Sequence, residues 1–303
     1  MNTIQKNIIK IDRFQRRHKP LAFIFAVFKK YGDDQAGFKA ALFTYYAFLS
    51  LFPLLLILVT LTGYVSDSYP ELQEHVIKGA TDYFPVLGAQ VADHINGLRS
   101  NGPALVVGLL FSLYGARGVA EALQHGVQHI WGVPRAERPG FPASTVISIK
   151  IIVVGGLGFV LAAISVALAG SAGHGVVFRG LAYAINLVLL FCLFTFLINA
   201  CLPKKVSLKQ TRVAAITAAI GLVVLQTVGG YLLTRELKNL DALYSYFALS
   251  LGLLFWIYLQ AQIIFYSVEI ASVSDKRYWP RSLSGSDLTT SDLLTNERFK
   301  TVL

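Results

Sequence analysis

The chain has 303 residues, 54% of them hydrophobic and only 15% charged, a balance too apolar for an ordinary soluble domain. Its net charge of +10 falls in blocks between apolar stretches, so it reads as membrane topology and requires no nucleic acid. Cys192 and Cys201, the only cysteines, sit in one apolar helix nine positions apart, about 13 Å and too far for an intrahelical disulfide, which excludes a disulfide framework and a zinc knuckle.

Residues 1–37 carry eight basic and three acidic residues, the composition of a cytoplasmic flank. Ile4, Ile8 and Ile11 share a helical face, and the apolar run 21–28 is too short to span, which predicts an interfacial helix leading into the membrane. The first span covers about 38–64. Between Phe43 and Leu61 only Thr44, Ser50 and Thr60 are clearly polar and no residue is charged, so the run can cross a core of about 30 Å. No small-residue cleavage site follows, and the span reads as retained rather than as a signal peptide. Pro53 lacks the amide that would bond to the Leu49 carbonyl, which predicts a bend. Tyr46, Ser50 and Pro53 share one face there, either as an ordinary kink packed on neighbours or as the lining of a site.

Residues 65–102 form a polar insert with five acids and two bases. Ser68 and Glu71 have capping-box spacing with Pro70 between them, and two amphipathic stripes follow, which predicts a short helical hairpin over the outer face. Further spans are predicted at about 103–131, 145–170, 180–202, 212–233 and 246–273. The third has small surfaces at Gly158, Ala162 and Ala163, and the fifth at Ala214, Ala215, Ala218 and Ala219, suited to close helix contact. The polar tail 275–303 reads as disordered or weakly helical.

Six spans put both termini on one side. The terminal segments and the loops on that side carry 19 basic and 8 acidic residues, against 5 and 7 on the other, so the positive-inside rule makes both termini cytoplasmic. The expected fold is therefore all-α: a polytopic membrane bundle of six transmembrane helices, N-in and C-in. The two sets of three spans would have opposite orientations, as in inverted-repeat transporters, but no sequence match links the halves.

Chemistry can reside where polar groups enter the spans. Arg117 lies thirteen residues into the second span, roughly 20 Å from its outer end, and such a cation needs a partner, a watery cavity or an anion. Tyr114, Arg117, Glu121, Gln124 and Gln128 fall within one narrow arc. Two readings of that arc stand: an internal Arg117–Glu121 pair bracing the bundle, or a lining that contacts lipid phosphate or another anion. In the last span Tyr258, Gln262, Tyr266 and Glu269 share a face, and Gln226 of the fifth span is a further lining candidate. If the second and sixth spans adjoin, the stripes form one cavity. Glu121, His125 and His129 have helix-face metal spacing, but HGVQH lacks a zincin's internal glutamate, so no metal site is assigned and no cofactor is expected. No phosphate loop or nucleophile triad occurs.

Three stretches resemble the YihY/BrkB family of bacterial inner-membrane proteins, sometimes labelled ribonuclease BN. They are TYYAFLSLFPLLLILVTLTG from Thr44 to Gly63, YGARGVAEALQHGVQHIWGV from Tyr114 to Val133, and LLFWIYLQAQIIFYSVEI from Leu253 to Ile270. The chain departs from the family pattern at Ser245 and at Ser267, where relatives often carry glycine. The resemblance implies an envelope protein with membrane lipids as partners, a role in transport or virulence, and a homo-oligomer as one arrangement. The residues themselves favour a transporter or lipid and anion translocator over an enzyme, because no cluster of acidic ligands sits in a water-exposed domain. A non-transporting envelope factor is the alternative.

Overall fold

The computed structural model describes residues 11–66, 102–170, 176–203, 206–236, 242–283 and 288–295, and these are helical without any strand. A helical lead-in at 11–17 precedes α1 (Lys19–Asp33), which Pro20 starts in the first turn, where a missing amide costs nothing. Six long helices follow: α2 (Ala36–Ser66), α3 (Gly102–Ile130), α4 (Ala143–Gly170), α5 (Val176–Cys201), α6 (Leu208–Glu236) and α7 (Ala242–Lys276). The expected hairpin between the first two spans lies outside the described residues.

Within the described residues, four helical stretches are long and apolar enough to cross a membrane: Ala143–Ser165, Gly180–Cys201, Leu208–Gly229 and Ser250–Lys276. Their outward residues, such as Val153, Leu157, Val188, Ile216 and Phe255, are apolar and exposed, which suits a lipid solvent rather than water.

The helices close a ring in which α2 packs on α3, α3 on α4, and so on to α7, which returns to α2; α3 also touches α5 and α7 across the ring. Because lipid tails are as apolar as leucine, such packing rests on close approach, and the small residues supply it. Ala162 of α4 and Ala214, Ala215, Ala218 and Ala219 of α6 are almost wholly buried, as the sequence predicts. Tighter still is α2 against α3. A Cβ added to Gly115 would stand 2.6 Å from the Ser50 Cβ and 2.9 Å from its backbone.

α2 continues as helix through Pro53. Ser50 Oγ donates to the Ala47 carbonyl at 2.9 Å, so the hydroxyl serves its own preceding turn and not the Leu49 carbonyl that Pro53 leaves without a donor.

The tail expected to be disordered or weakly helical is instead packed over 277–283 and 288–295. Arg281 is 2% exposed; its Nη1 stands 2.8 Å from an Asp33 carboxylate oxygen and its Nε 3.1 Å from Asp292. Asp292 also accepts hydrogen bonds from Lys29 Nζ at 3.0 Å and from the Ser282 amide at 2.9 Å. At the lead-in, Asp12 accepts from the Leu283 amide and from Gln15, each at 3.0 Å, while Gln15 donates to the Arg281 carbonyl at 2.7 Å. Composition failed here because the segment is held by two carboxylates with many donors each, an anchor that apolar content does not register.

Those carboxylates make the clasp sensitive to acid. Burial works against ionisation of Asp292, but the Ser282 and Thr289 amides, the Thr289 hydroxyl and Lys29 outweigh it and hold its carboxyl well below the usual range. Asp12 is lowered likewise, against its burial, by Leu283, Gln15 and Arg16. A depressed carboxyl contributes its stability above the ordinary value of about 3.9 and loses it as pH falls toward the depressed one. Limited proteolysis is therefore expected to leave 280–283 and 288–295 uncut near neutral pH and to cut them progressively below about pH 4, with Asp292→Asn susceptible already at pH 7. A wild-type tail as resistant in acid as at neutrality contradicts this.

Candidate anion and lipid contact site

Arg117 and Glu121 are separated by one turn of α3, and Arg117 Nε donates to Glu121 Oε1 at 2.9 Å. The pair points outward: the two side chains are 57% and 38% exposed. Arg117 is the sixteenth of 29 residues in α3, about 22 Å from its start. Around it Phe111, Leu113 and Tyr114 are exposed, and Tyr46 of α2 meets Tyr114 edge-on with ring centres 6.2 Å apart. Tyr46 lies over Gly118, where any Cβ would stand 2.2 Å from the ring. The Tyr46 and Ser50 face therefore meets the Arg117 stripe: Ser50 abuts Gly115 one turn away. Nothing is described of the Pro53 side chain.

Chemically this is a cation and an anion on the outside of an apolar helix, bordered by phenols. Arginine at the centre of a spanning helix costs about 2.5–3.5 kcal/mol on insertion scales unless water, protein or a head group meets it. The guanidinium spends one N–H on Glu121, and its outward exposure leaves the fork open to a carboxylate or phosphate.

Gln124 and Gln128 do not join that face. Gln124 is buried and donates to Ser148 Oγ of α4 at 2.8 Å, and Gln128 is buried and donates to the Cys201 carbonyl of α5 at 2.9 Å. All four polar residues share one arc of α3, but its neighbours change along its length, and α4 and α5 cover only the end toward Ile130. The arc thus combines both readings, open at Arg117 and bracing at the glutamines.

The stripe on α7 is covered as well, by α1. Tyr266 stacks on Tyr31 with centroids 3.9 Å apart and planes 8° from parallel, and Tyr31 donates its hydroxyl proton to Gln262 Oε1. Burial first, then the neighbouring Tyr266, Tyr258 and Glu269, push the Tyr31 phenol above its usual range, so it stays a neutral donor. Tyr258 is half-buried against the main core. Glu269, expected near a hydrated boundary, is fully buried and accepts from Lys30 Nζ at 2.6 Å. Lys30 also donates to Asp34 at 2.7 Å and to the Ile130 carbonyl at 3.0 Å, so one ammonium joins α1, α3 and α7. Ser272 Oγ reaches the same carbonyl at 3.1 Å.

The second and last long helices do adjoin, through this cluster and where Gly126 admits the Phe265 ring. They make a sealed junction rather than one cavity with Arg117. Gln226 on α6 is half-buried, and its amide nitrogen has no hydrogen-bond partner.

The metal spacing does not assemble. Glu121 is turned to Arg117, His125 is exposed, and His129 Nε2 stands 4.0 Å from Asp34. No group of three potential ligands forms among the described residues.

Sequence reasoning missed Lys30 and Asp34, which entered only as topological charge. The signal was available in their spacing of four with opposite sign, next to an apolar run.

The family described as Virulence factor BrkB matches residues 27–287. The chain is also similar to the "Putative ribonuclease-like protein YfkH" of Bacillus subtilis (strain 168), 22% identical over 272 residues that cover 85% of this chain and 96% of that protein. No solved structure matches. The matched region runs from the end of α1 through α7 into the clasped tail, and with its apolar helices the chain belongs to the BrkB family of membrane proteins.

Proposed function

We propose that this protein is a translocator of an anionic amphiphile, a lipid or related anion, in the bacterial inner membrane, with six spans and both termini cytoplasmic. The excess of basic residues at the termini and the loops on their side supports that orientation. The observation that carries the reading is the outward, half-open Arg117–Glu121 pair in the middle of α3. A guanidinium at that depth is stabilised by a cargo's phosphate or carboxylate as it passes. Membrane lipids are then the principal partners, and a homo-oligomer would place the same face along a shared path. Nucleic-acid cleavage has no part in the reading, because the polar residues lie among apolar helices and the basic ones follow topology.

A second reading, a non-transporting envelope factor, draws support from the braces Gln124–Ser148, Gln128–Cys201 and Lys30–Glu269. Proteoliposomes separate the two. Purified protein is expected to accelerate movement of fluorescent phosphatidylglycerol between leaflets, and Arg117→Ala to slow it about tenfold or more, the worth of one charged hydrogen bond. Equal rates for both proteins would remove Arg117 from the path, and no acceleration across several lipid compositions would favour the second reading. RNA incubated with the same protein is expected to stay intact.

A further inference from the structure

A cavity of about 570 Å³ opens between α4, α5 and the start of α6, within the usual size range of ligand clefts. Its walls are Ile147, Phe191, Cys192, Phe196, Ala200 and Leu208, with Lys150 supplying the one charge in the lining. The polar groups beside it are mostly spent within the fold. Thr195 Oγ1 donates to the Phe191 carbonyl at 2.7 Å, and Asn199 Nδ2 donates to the Thr195 carbonyl at 2.6 Å and to Thr211 Oγ1 at 2.9 Å. Lys150 is exposed and joins none of the ion pairs of the described residues.

We propose that this groove binds an anionic phospholipid, with its phosphate at Lys150 and an acyl chain along the Phe191 and Phe196 side of α5. Three features select that occupant. Lys150 is the eighth residue of α4, about 10 Å from the helix start, and side chains on a helix lean toward its N-terminus, so the ammonium reaches head-group depth while its stem covers apolar wall. The first turns of α6, at the same end, carry Lys209 and Arg212, both exposed, and so enrich anionic lipid locally. Asp275 meets that end through Gln210 at 3.1 Å, but it does not line the groove. Inorganic phosphate leaves the aromatic wall unused, and a neutral lipid leaves Lys150 unpaired.

The site shares no residue with the Arg117 face and does not depend on lipid translocation. Cys192, exposed within the groove, gives it an independent reporter. The test uses the full chain in mixed micelles, with native mass spectrometry to count retained lipid and a hydrophobic maleimide to time Cys192 alkylation. Phosphatidylglycerol is expected to be retained above phosphatidylcholine and to slow alkylation, whereas inorganic phosphate does neither. Lys150→Gln is expected to lower phosphatidylglycerol retention about fivefold, the effect of one lysine near a membrane surface, without altering phosphatidylcholine retention. Cys192→Trp, which fills the groove without changing charge, is expected to lower it too. If Lys209→Gln lowers retention as much as Lys150→Gln, the attraction is diffuse and the proposal fails. It fails equally if retention is indifferent to both Lys150→Gln and Cys192→Trp in variants that keep wild-type helicity and melting.

Discussion

Lys30→Ala is expected to lower stability by about 3–5 kcal/mol, the cost of leaving a buried ionic partner uncompensated. The residue is fully buried, and its ammonium lies 2.7 Å from Asp34 and 2.6 Å from Glu269, both themselves fully buried. Removing the cation leaves two carboxylates facing each other's charge without water, and leaves the Ile130 carbonyl with Ser272 Oγ as its side-chain donor. Chemical unfolding in detergent, followed by loss of helicity, reads the effect. The combined variant Lys30→Met, Asp34→Asn, Glu269→Gln is expected to recover part of the loss, since an ion cluster replaced as a unit carries no stranded charge. A single Lys30→Ala variant within about 0.5 kcal/mol of wild type would show that the junction is not held this way.

The second large effect concerns backbone distance. Gly115→Leu is expected to destabilise by about 1–3 kcal/mol or more, because the first added carbon already meets Ser50 at 2.6 Å and its backbone at 2.9 Å. Backbone cannot rotate aside as a side-chain tip can, so α2 and α3 must separate. Gly156 on α4 is the matched control: a Cβ there meets nothing within 4 Å. Gly156→Ala is expected to be neutral or to gain about 0.4–1 kcal/mol through the unfolded chain. Thermal unfolding of the two variants side by side checks both, and equal behaviour would contradict the packing described for α2 and α3. Separation of these helices would also displace Tyr46 from Gly118 and disturb the surroundings of Arg117.

The parts of the fold that were legible were those written in short-range pattern. Apolar runs gave the long helices, alanine spacing gave the tight face of α6, and the four-residue spacing of Arg117 and Glu121 gave their pair. What escaped was long-range. Lys30 and Glu269 are 239 positions apart, and neither spacing nor composition joins them. The same holds for Gln15 and the Arg281 carbonyl, 266 positions apart, which turn a polar tail into packed structure. The polar arc on α3 follows from helical spacing, but a helical wheel has no knowledge of where neighbouring helices begin and end. Ser148 and Cys201 happen to lie beside the glutamines, and no described helix lies over Arg117. Glycine was informative only after assembly: Gly115, Gly118 and Gly126 look alike in sequence to Gly156, and differ because another element leans on them.

These features divide the protein into a braced end and an open face. Around Lys30, one ammonium, two carboxylates and stacked tyrosines bind α1 to α3 and α7. About 20 Å along α3, thirteen residues away, the arginine looks outward.

The most direct measurement is a density map of the protein in nanodiscs containing phosphatidylglycerol. The account predicts head-group or ordered-water density against the Arg117 guanidinium, with the Glu121 pair retained. Arg117 sealed by protein alone, or facing acyl chains with no polar density beside it, would contradict it.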